Sequence, residues 1–282
     1  MQKFLQYFKT ELFLQELALF SIAQFLGIFL ARRVDWVMAW AQITAEQISV
    51  SDFVIYFLIG TVLIFALSQK SRISGFLMNI FFVFTLFLGA SFFFSFFINQ
   101  ASAFYFSVAL IIARFVFPSI FLHNFLFLLS ISSFSSILAL QMTPTVIVIL
   151  LAALAVYDIV SVYLTGHMVK MAKTMIERHL IFGFIIPEKI KYNFWGVQKA
   201  KPGQGVVFLG GGDVGLPIFL VANVAASNLT GGIIVALFAV LGMILSYYLF
   251  VSQKFKKPMP ALPPISMMTI LGYLIIQVLG WL

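Results

Sequence analysis

The sequence predicts an all-α, polytopic membrane protein with about nine transmembrane helices, the N-terminus cytoplasmic and the C-terminus outside. Three observations carry that expectation. Of 282 residues, 62% are hydrophobic and only 9% charged, against about 45–50% apolar and about 25% charged in an ordinary soluble domain. Too little polar surface exists to cover a soluble globule. Apolar runs recur at the length of about 20 helical residues that crosses a bilayer core. The 17 Lys and Arg are also segregated: with the N-terminus inside, only Arg32 and Arg33 fall on the outer side, as the positive-inside rule requires. The net charge of +8 is thus a topology signal with anionic lipid as the expected neighbour, and nucleic acid is not an expected partner. The absence of Cys excludes a disulfide scaffold, a zinc–thiolate site and a cysteine nucleophile.

The runs are 12–31, 50–68, 74–97, 102–118, 120–141, 144–165, 205–227, 230–252 and 262–282. The first is the least apolar and carries Gln15, Glu16 and Gln24. Glu16 reads as a residue near a membrane face or at a helix–helix contact. A cleaved signal peptide is a weaker reading of this start, because Glu11 and Glu16 interrupt it and no small-x-small site follows. Pro118 alone separates the fourth and fifth runs. Arg114 is expected to snorkel to the cytoplasmic interface. Ser130, Ser132, Ser133, Ser135 and Ser136 read as helix-packing residues, since no base accompanies them. Asn228-Leu229-Thr230 is a formal glycosylation sequon in a turn too short to use it. Trp281 sits where an interfacial aromatic belongs.

The expected organisation is a scaffold over 1–166, a basic cytoplasmic loop over 167–204 and a final part over 205–282. The loop carries seven of the 17 basic residues. Its apolar stretch Leu180–Pro187 is too short to span. It is left with three readings: a surface segment, a strand, or a cover over a cavity.

Acids are scarce, so each is informative. Of the nine, seven lie in loops or near segment ends, and only Asp158 and Asp213 sit well inside apolar runs. An ionisable group at membrane depth costs at least a few kcal/mol and is a functional candidate by default. Read as helices, the sixth and seventh runs place both acids roughly 12 Å below the same interface. Two carboxylates in close contact share a proton, the arrangement in which one activates water and the other polarises a scissile carbonyl. Activity at mildly acidic to neutral pH is expected of such a pair. Around Asp213, Gly210, Gly211 and Gly212 allow close approach of another chain. Pro217 is expected to open or kink the helix. Pro258-Met-Pro-Ala-Leu-Pro-Pro264 enters from the same side. The same buried acids and broken helices also fit a proton- or cation-coupled transporter, or a structural or proton-relay role. His123, His167 and His179 show no ligand spacing, so no metal is expected, and no cofactor is implied because the pair supplies both acid and base.

Tyr157-Asp158, Gly210-Gly211-Gly212-Asp213 and Pro260-Ala261-Leu262 together resemble the presenilin and signal peptide peptidase family of intramembrane aspartyl proteases, most closely its archaeal members. Their order and shared side make the conjunction specific. The prepilin-type peptidases share Gly-x-Gly-Asp but lack the other two motifs. Leu209–Pro217 looks more like the signal-peptide-peptidase branch, and the inferred orientation more like the presenilin branch. The resemblance implies an intramembrane aspartic endopeptidase with Asp158 and Asp213 as the dyad. Gly210 and Gly212 would shape the site beside Tyr157 and Pro217. Pro260, Ala261 and Leu262 would form the active conformation and receive substrate. It implies single-span membrane-protein substrates cut within the lipid bilayer, and a multi-pass place in a prokaryotic or archaeal plasma membrane. A helical substrate must unwind first, and Leu180–Pro187 or Val206–Phe208 would offer strand edges to hold it.

Overall fold

The computed structural model describes residues 9–41, 49, 51–52, 55–56, 59–60, 72–166, 180–200, 205–253 and 258–280. Eight α-helices are described: α1 (Thr10–Ala41), α2 (Arg72–Ser95), α3 (Gln100–Val116), α4 (Ile120–Leu140), α5 (Pro144–Ile159), α6 (Gly211–Ser227), α7 (Leu229–Ser252) and α8 (Leu262–Val278). They coincide with eight of the nine apolar runs. Most of the run at 50–68, together with His167, His179 and Trp281, lies outside the described residues. Five helices are long and apolar enough to cross a membrane: Thr10–Asp35, Gly75–Ser95, Ile120–Leu140, Pro144–Leu164 and Leu229–Ser252. Three shorter apolar helices accompany them: α3, α6 and α8.

Local chemistry sets the helix starts. Ser119 accepts from Leu122 N (3.2 Å) to cap α4 just after Pro118. Thr143 caps α5, with Pro144 as its first residue, where a missing N–H costs nothing. Asn228 of the sequon caps α7 by accepting from Gly231 N (3.0 Å). It also links α6 to α7 in a single-residue turn.

The centre is a packed group of α1, α4 and α6, with α2 against the other side of α4. The serines of α4 stitch it together. Ser130 and Ser133 donate to Leu86 O and Gly89 O of α2 (3.1 and 3.0 Å). Ser132 and Ser136 donate to Ala23 O and Gly27 O of α1 (3.3 and 3.0 Å). Small hydroxyl side chains let helix backbones approach and bond where lipid supplies no hydrophobic drive. Arg114 lies half-buried over the Phe82 ring, 5.2 Å from its centroid, on the face that α3 turns toward α2.

Two expectations are corrected here. The run 205–227 is not one helix. Val206–Gly210 is a strand, β2, paired antiparallel with β1 (Gly183–Pro187), Gly183 opposite Gly210 and Pro187 opposite Val206. Gly205 adopts φ 73° at the turn into it, and Glu188 N donates to its carbonyl (2.7 Å). Val206, Val207 and Phe208 are strand formers, and a partner strand is available. The depth of Asp213, reckoned for helix throughout, therefore changes, since extended residues advance about 3.3 Å each. Pro217, secondly, does not open the helix, for α6 continues through it from Gly211 to Ser227. The irregular backbone lies instead ahead of Asp213, at the switch from strand to helix.

Of the apolar stretch of the 167–204 loop, the last five residues, Gly183–Pro187, are thus a strand, buried throughout. Asn124 of α4 clasps its backbone: Nδ2 donates to Ile185 O (2.7 Å) and Oδ1 accepts from Ile185 N (2.9 Å). The His123 ring meets Gly183 O (3.0 Å).

Candidate active site

Asp158 stands in the last turn of α5. Its neighbours Val156, Tyr157, Ile159 and Val160 are all exposed, whereas Asp158 is 4% exposed. The acid thus marks the one inward face of a helix that otherwise looks at lipid. Beyond it the chain widens into a π turn, Val160–Leu164. Ser161 donates its hydroxyl back to Asp158 O (3.1 Å), and Thr165 N bonds Val160 O (3.1 Å).

The Asp158 carboxylate reaches α8, where Oδ2 accepts from Leu262 N (3.3 Å). The sequence explains why that amide is offered. The first turn of a helix leaves its N–H groups without internal partners. Ala261 supplies no side-chain cap, and Pro263 and Pro264 have no N–H at all. Leu262 N is the donor left over, at the positive end of the helix dipole. Pro260 and Leu262 are buried and Ala261 partly so, so the motif forms one wall of the site.

Asp213 stands three residues past Gly210, the residue that precedes α6. Its carboxylate accepts from Gly210 N–H, reproducing one half of a capping box. A Cβ at Gly210 would stand 2.9 Å from Asp213 Oδ2, so a side chain there would displace the acid. Gly211 is tighter still. Its N–H bonds Phe182 O (3.0 Å), and a Cβ would meet the Phe127 ring at 2.7 Å. Gly212, by contrast, is exposed, with Leu216 Cδ1 at 4.0 Å from where its Cβ would be. Asp213 is itself partly exposed, so the acid has an open side next to Gly212.

The carboxylates of Asp158 and Asp213 lie within electrostatic reach of each other, brought there by packing of α5, α6 and α8. Of the residues the motifs single out, Asp158, Gly210, Asp213, Pro260, Ala261 and Leu262 converge. Tyr157 is on the outward face, 53% exposed, and Pro217 is buried in the second turn of α6. Sequence reasoning passed over Gly211, which is read only as the middle of a glycine run. It also passed over Asn124, whose clasp on β1 carries no motif. No group of three or more His, Cys, Asp or Glu that would hold a metal occurs among the described residues.

A profile of the family described as signal-peptide peptidase, presenilin aspartyl protease matches residues 17–280. Two crystal structures of a presenilin family intramembrane aspartate protease share the fold. One, in space group C222, is 20% identical over 95% of this chain and 99% of that chain, with a TM-score of 0.65. The other crystal form is 23% identical over 94% and 97%, with a TM-score of 0.64. No curated protein matches the sequence.

Proposed function

The chain belongs to the signal-peptide peptidase and presenilin aspartyl protease family, and from that premise we propose that Asp158 and Asp213 are its catalytic pair. The activity is that of an intramembrane aspartyl protease. What carries the assignment to these two residues is their convergence: the acids of α5 and α6 stand within reach of each other, each with a backbone N–H donor.

Chemistry follows from that pairing. Two carboxyls brought into close contact hold one proton between them. The ionised member takes a proton from water, and the hydroxyl oxygen forms a bond to the carbonyl carbon of the scissile peptide. The protonated member gives its proton to the carbonyl oxygen, so a neutral tetrahedral diol results. Collapse of the diol breaks the C–N bond. The proton first taken from water goes to the leaving nitrogen, and a hydroxyl proton returns to the pair. One water is consumed, and an acid and an amine are released. The amides of Leu262 and Gly210 orient the carboxylates.

Substrates of the family are transmembrane helices. For this chain we read them as single-span membrane proteins that unwind at the cut. Asn124 and His123 occupy the outer side of β1, and among the described residues nothing pairs with the other edge of β2. The open edge at Val206–Phe208 is the place for an extended substrate to add a strand. The reading includes nine spans with the N-terminus inside, a prokaryotic plasma membrane, and a scaffold of 1–166 against a catalytic part of 205–282.

The test is incubation of the purified protein with a reporter transmembrane helix, with products read by mass spectrometry. Cleavage within the helix is expected. Its persistence in both D158A and D213A would refute the assignment.

A further inference from the structure

Three polar side chains interrupt the apolar run of α1: Gln15, Glu16 and Gln24. Gln15 serves the β1 segment, donating to Pro187 O (2.9 Å) and accepting from Asn193 Nδ2 (2.7 Å). Glu16 is buried beside it, and Gln24 is buried completely, 0% exposed. Gln24 meets α6 one residue past Asp213, where its Nε2 donates to Val214 O (3.3 Å). One turn farther along, the two helices touch: a Cβ on Gly27 would stand 2.5 Å from Ile218 Cγ2. Beyond that, Arg32 donates to Ala226 O (2.8 Å). The three contacts advance together along both chains. The helices therefore run parallel in a fixed register, and Gln24 has little room to swing away from the turn that carries Asp213.

Satisfying a buried polar group does not account for that bond. Val214 lies inside α6, where the helix's own ladder already supplies a donor to its oxygen. The side chain is not satisfied either, since Gln24 Oε1 is buried with no partner among the described residues, at the cost of its lost solvation. The place of the bond does account for it. Pro217 has no N–H, so the ladder is one bond short at the carbonyl of Asp213, four residues earlier. From the strand side the turn is held at its start, by Gly211 N on Phe182 O (3.0 Å) and by Gly210 N–H on the Asp213 carboxylate. From the α1 side it is Gln24 that grips it.

We propose that Gln24 is a positioning residue of the catalytic cleft. By gripping the Val214 carbonyl, it braces the turn of α6 that Pro217 leaves one bond short, and so sets the direction in which Asp213 presents its carboxylate to Asp158. The inference rests on the reading of Asp158 and Asp213 as the catalytic pair. A reacting group turned away from its productive geometry loses rate while the substrate is bound as before, so the signature belongs in kcat.

The experiment measures kcat, KM and thermal melting with a transmembrane reporter helix, using the full chain in lipid–detergent micelles as wild type, Q24M, Q24N, D158A and D213A. Q24M keeps the length of the side chain and removes the donor. In it, kcat per folded molecule falls about 3- to 10-fold and KM stays at the wild-type value. Its melting temperature holds or rises, because the unpaired oxygen leaves with the amide. Q24N draws the amide back by one methylene and lowers kcat in the same way. If Q24M does not fold, Q24N decides by the same readings. A wild-type kcat in the folded variant, a change confined to KM, or a loss of kcat accompanied by a lower melting temperature overturns the role of Gln24 alone. Cleavage surviving in both D158A and D213A overturns the pair and this role with it.

Discussion

Two consecutive membrane-length spans are built on opposite plans. The spans Ile120–Leu140 and Pro144–Leu164 each cover 21 residues, yet over the most apolar 18 residues of each, 67% of the first is buried and only 33% of the second. The first contains α4, surrounded by α1, α2 and α6 and fastened by four serine-to-backbone bonds to two neighbours. The second contains α5, which packs chiefly on α8 and α6 and leaves most of its surface to lipid. Its inward acid is tied to α8 by a single long bond of 3.3 Å. Rigidity is thus concentrated in α4, whereas the acid of α5 is held at the margin by a carboxylate and an amide. A protease that must admit a second helix beside its acids needs such a margin.

Substitutions can break that contrast, and the largest effects belong to the acids. D213A and D158A are expected to reduce cleavage by about 10³-fold or more, read as product formation. Melting temperature should stay close to wild type, because neither side chain stitches the core. Next comes the tie to α8. L262P removes the amide that Asp158 accepts and disfavours the helical conformation of Ala261 before it. With a charge-assisted bond worth about 1.5–3 kcal/mol, kcat should fall roughly 10- to 100-fold. L262A keeps the N–H and should lose much less. G211V drives a side chain into Phe127 and the Phe182 carbonyl, at a cost of about 1–3 kcal/mol in stability. Activity should fall with it, because the Gly210–Asp213 turn shifts. The smallest effect is expected on the α4 side. S132A and S136A should each cost about 0.6 kcal/mol in unfolding measurements and leave kcat unchanged. A strong loss of activity there would mean that the two plans are not separate.

The sequence exposed the acids because charge is so rare in it. Asp158 and Asp213 stand out against their apolar runs on energetic grounds alone, and the Pro-rich stretch before α8 is legible for the same local reason. Other features were hidden by the limits of local pattern. Val206–Leu209 is apolar and continuous with the helix that follows, so periodicity cannot separate strand from span. Only the partner at 183–187 decides it. Pro217 reads as a break because Pro lacks a donor, but one lost bond does not outweigh the packing of a buried helix. Gly211 is anonymous in a run of three, and its importance comes from Phe127 and Phe182, both distant in sequence. The burial of Glu16 depends on how α1 meets α6 and α7, which no reading of α1 alone reveals. Asn124 is likewise an ordinary polar residue until β1 is laid against it.

Pro263 and Pro264 have a consequence beyond the shape of α8. By offering no hydrogens of their own, they leave Leu262 without rivals in the opening turn, so selectivity arises by subtraction. A stray water or foreign acceptor finds no amide hydrogen on the two residues that follow it. Restoring an ordinary residue at either place would add a spare handle, and the acid of α5 would then compete for a hold that is now reserved for it.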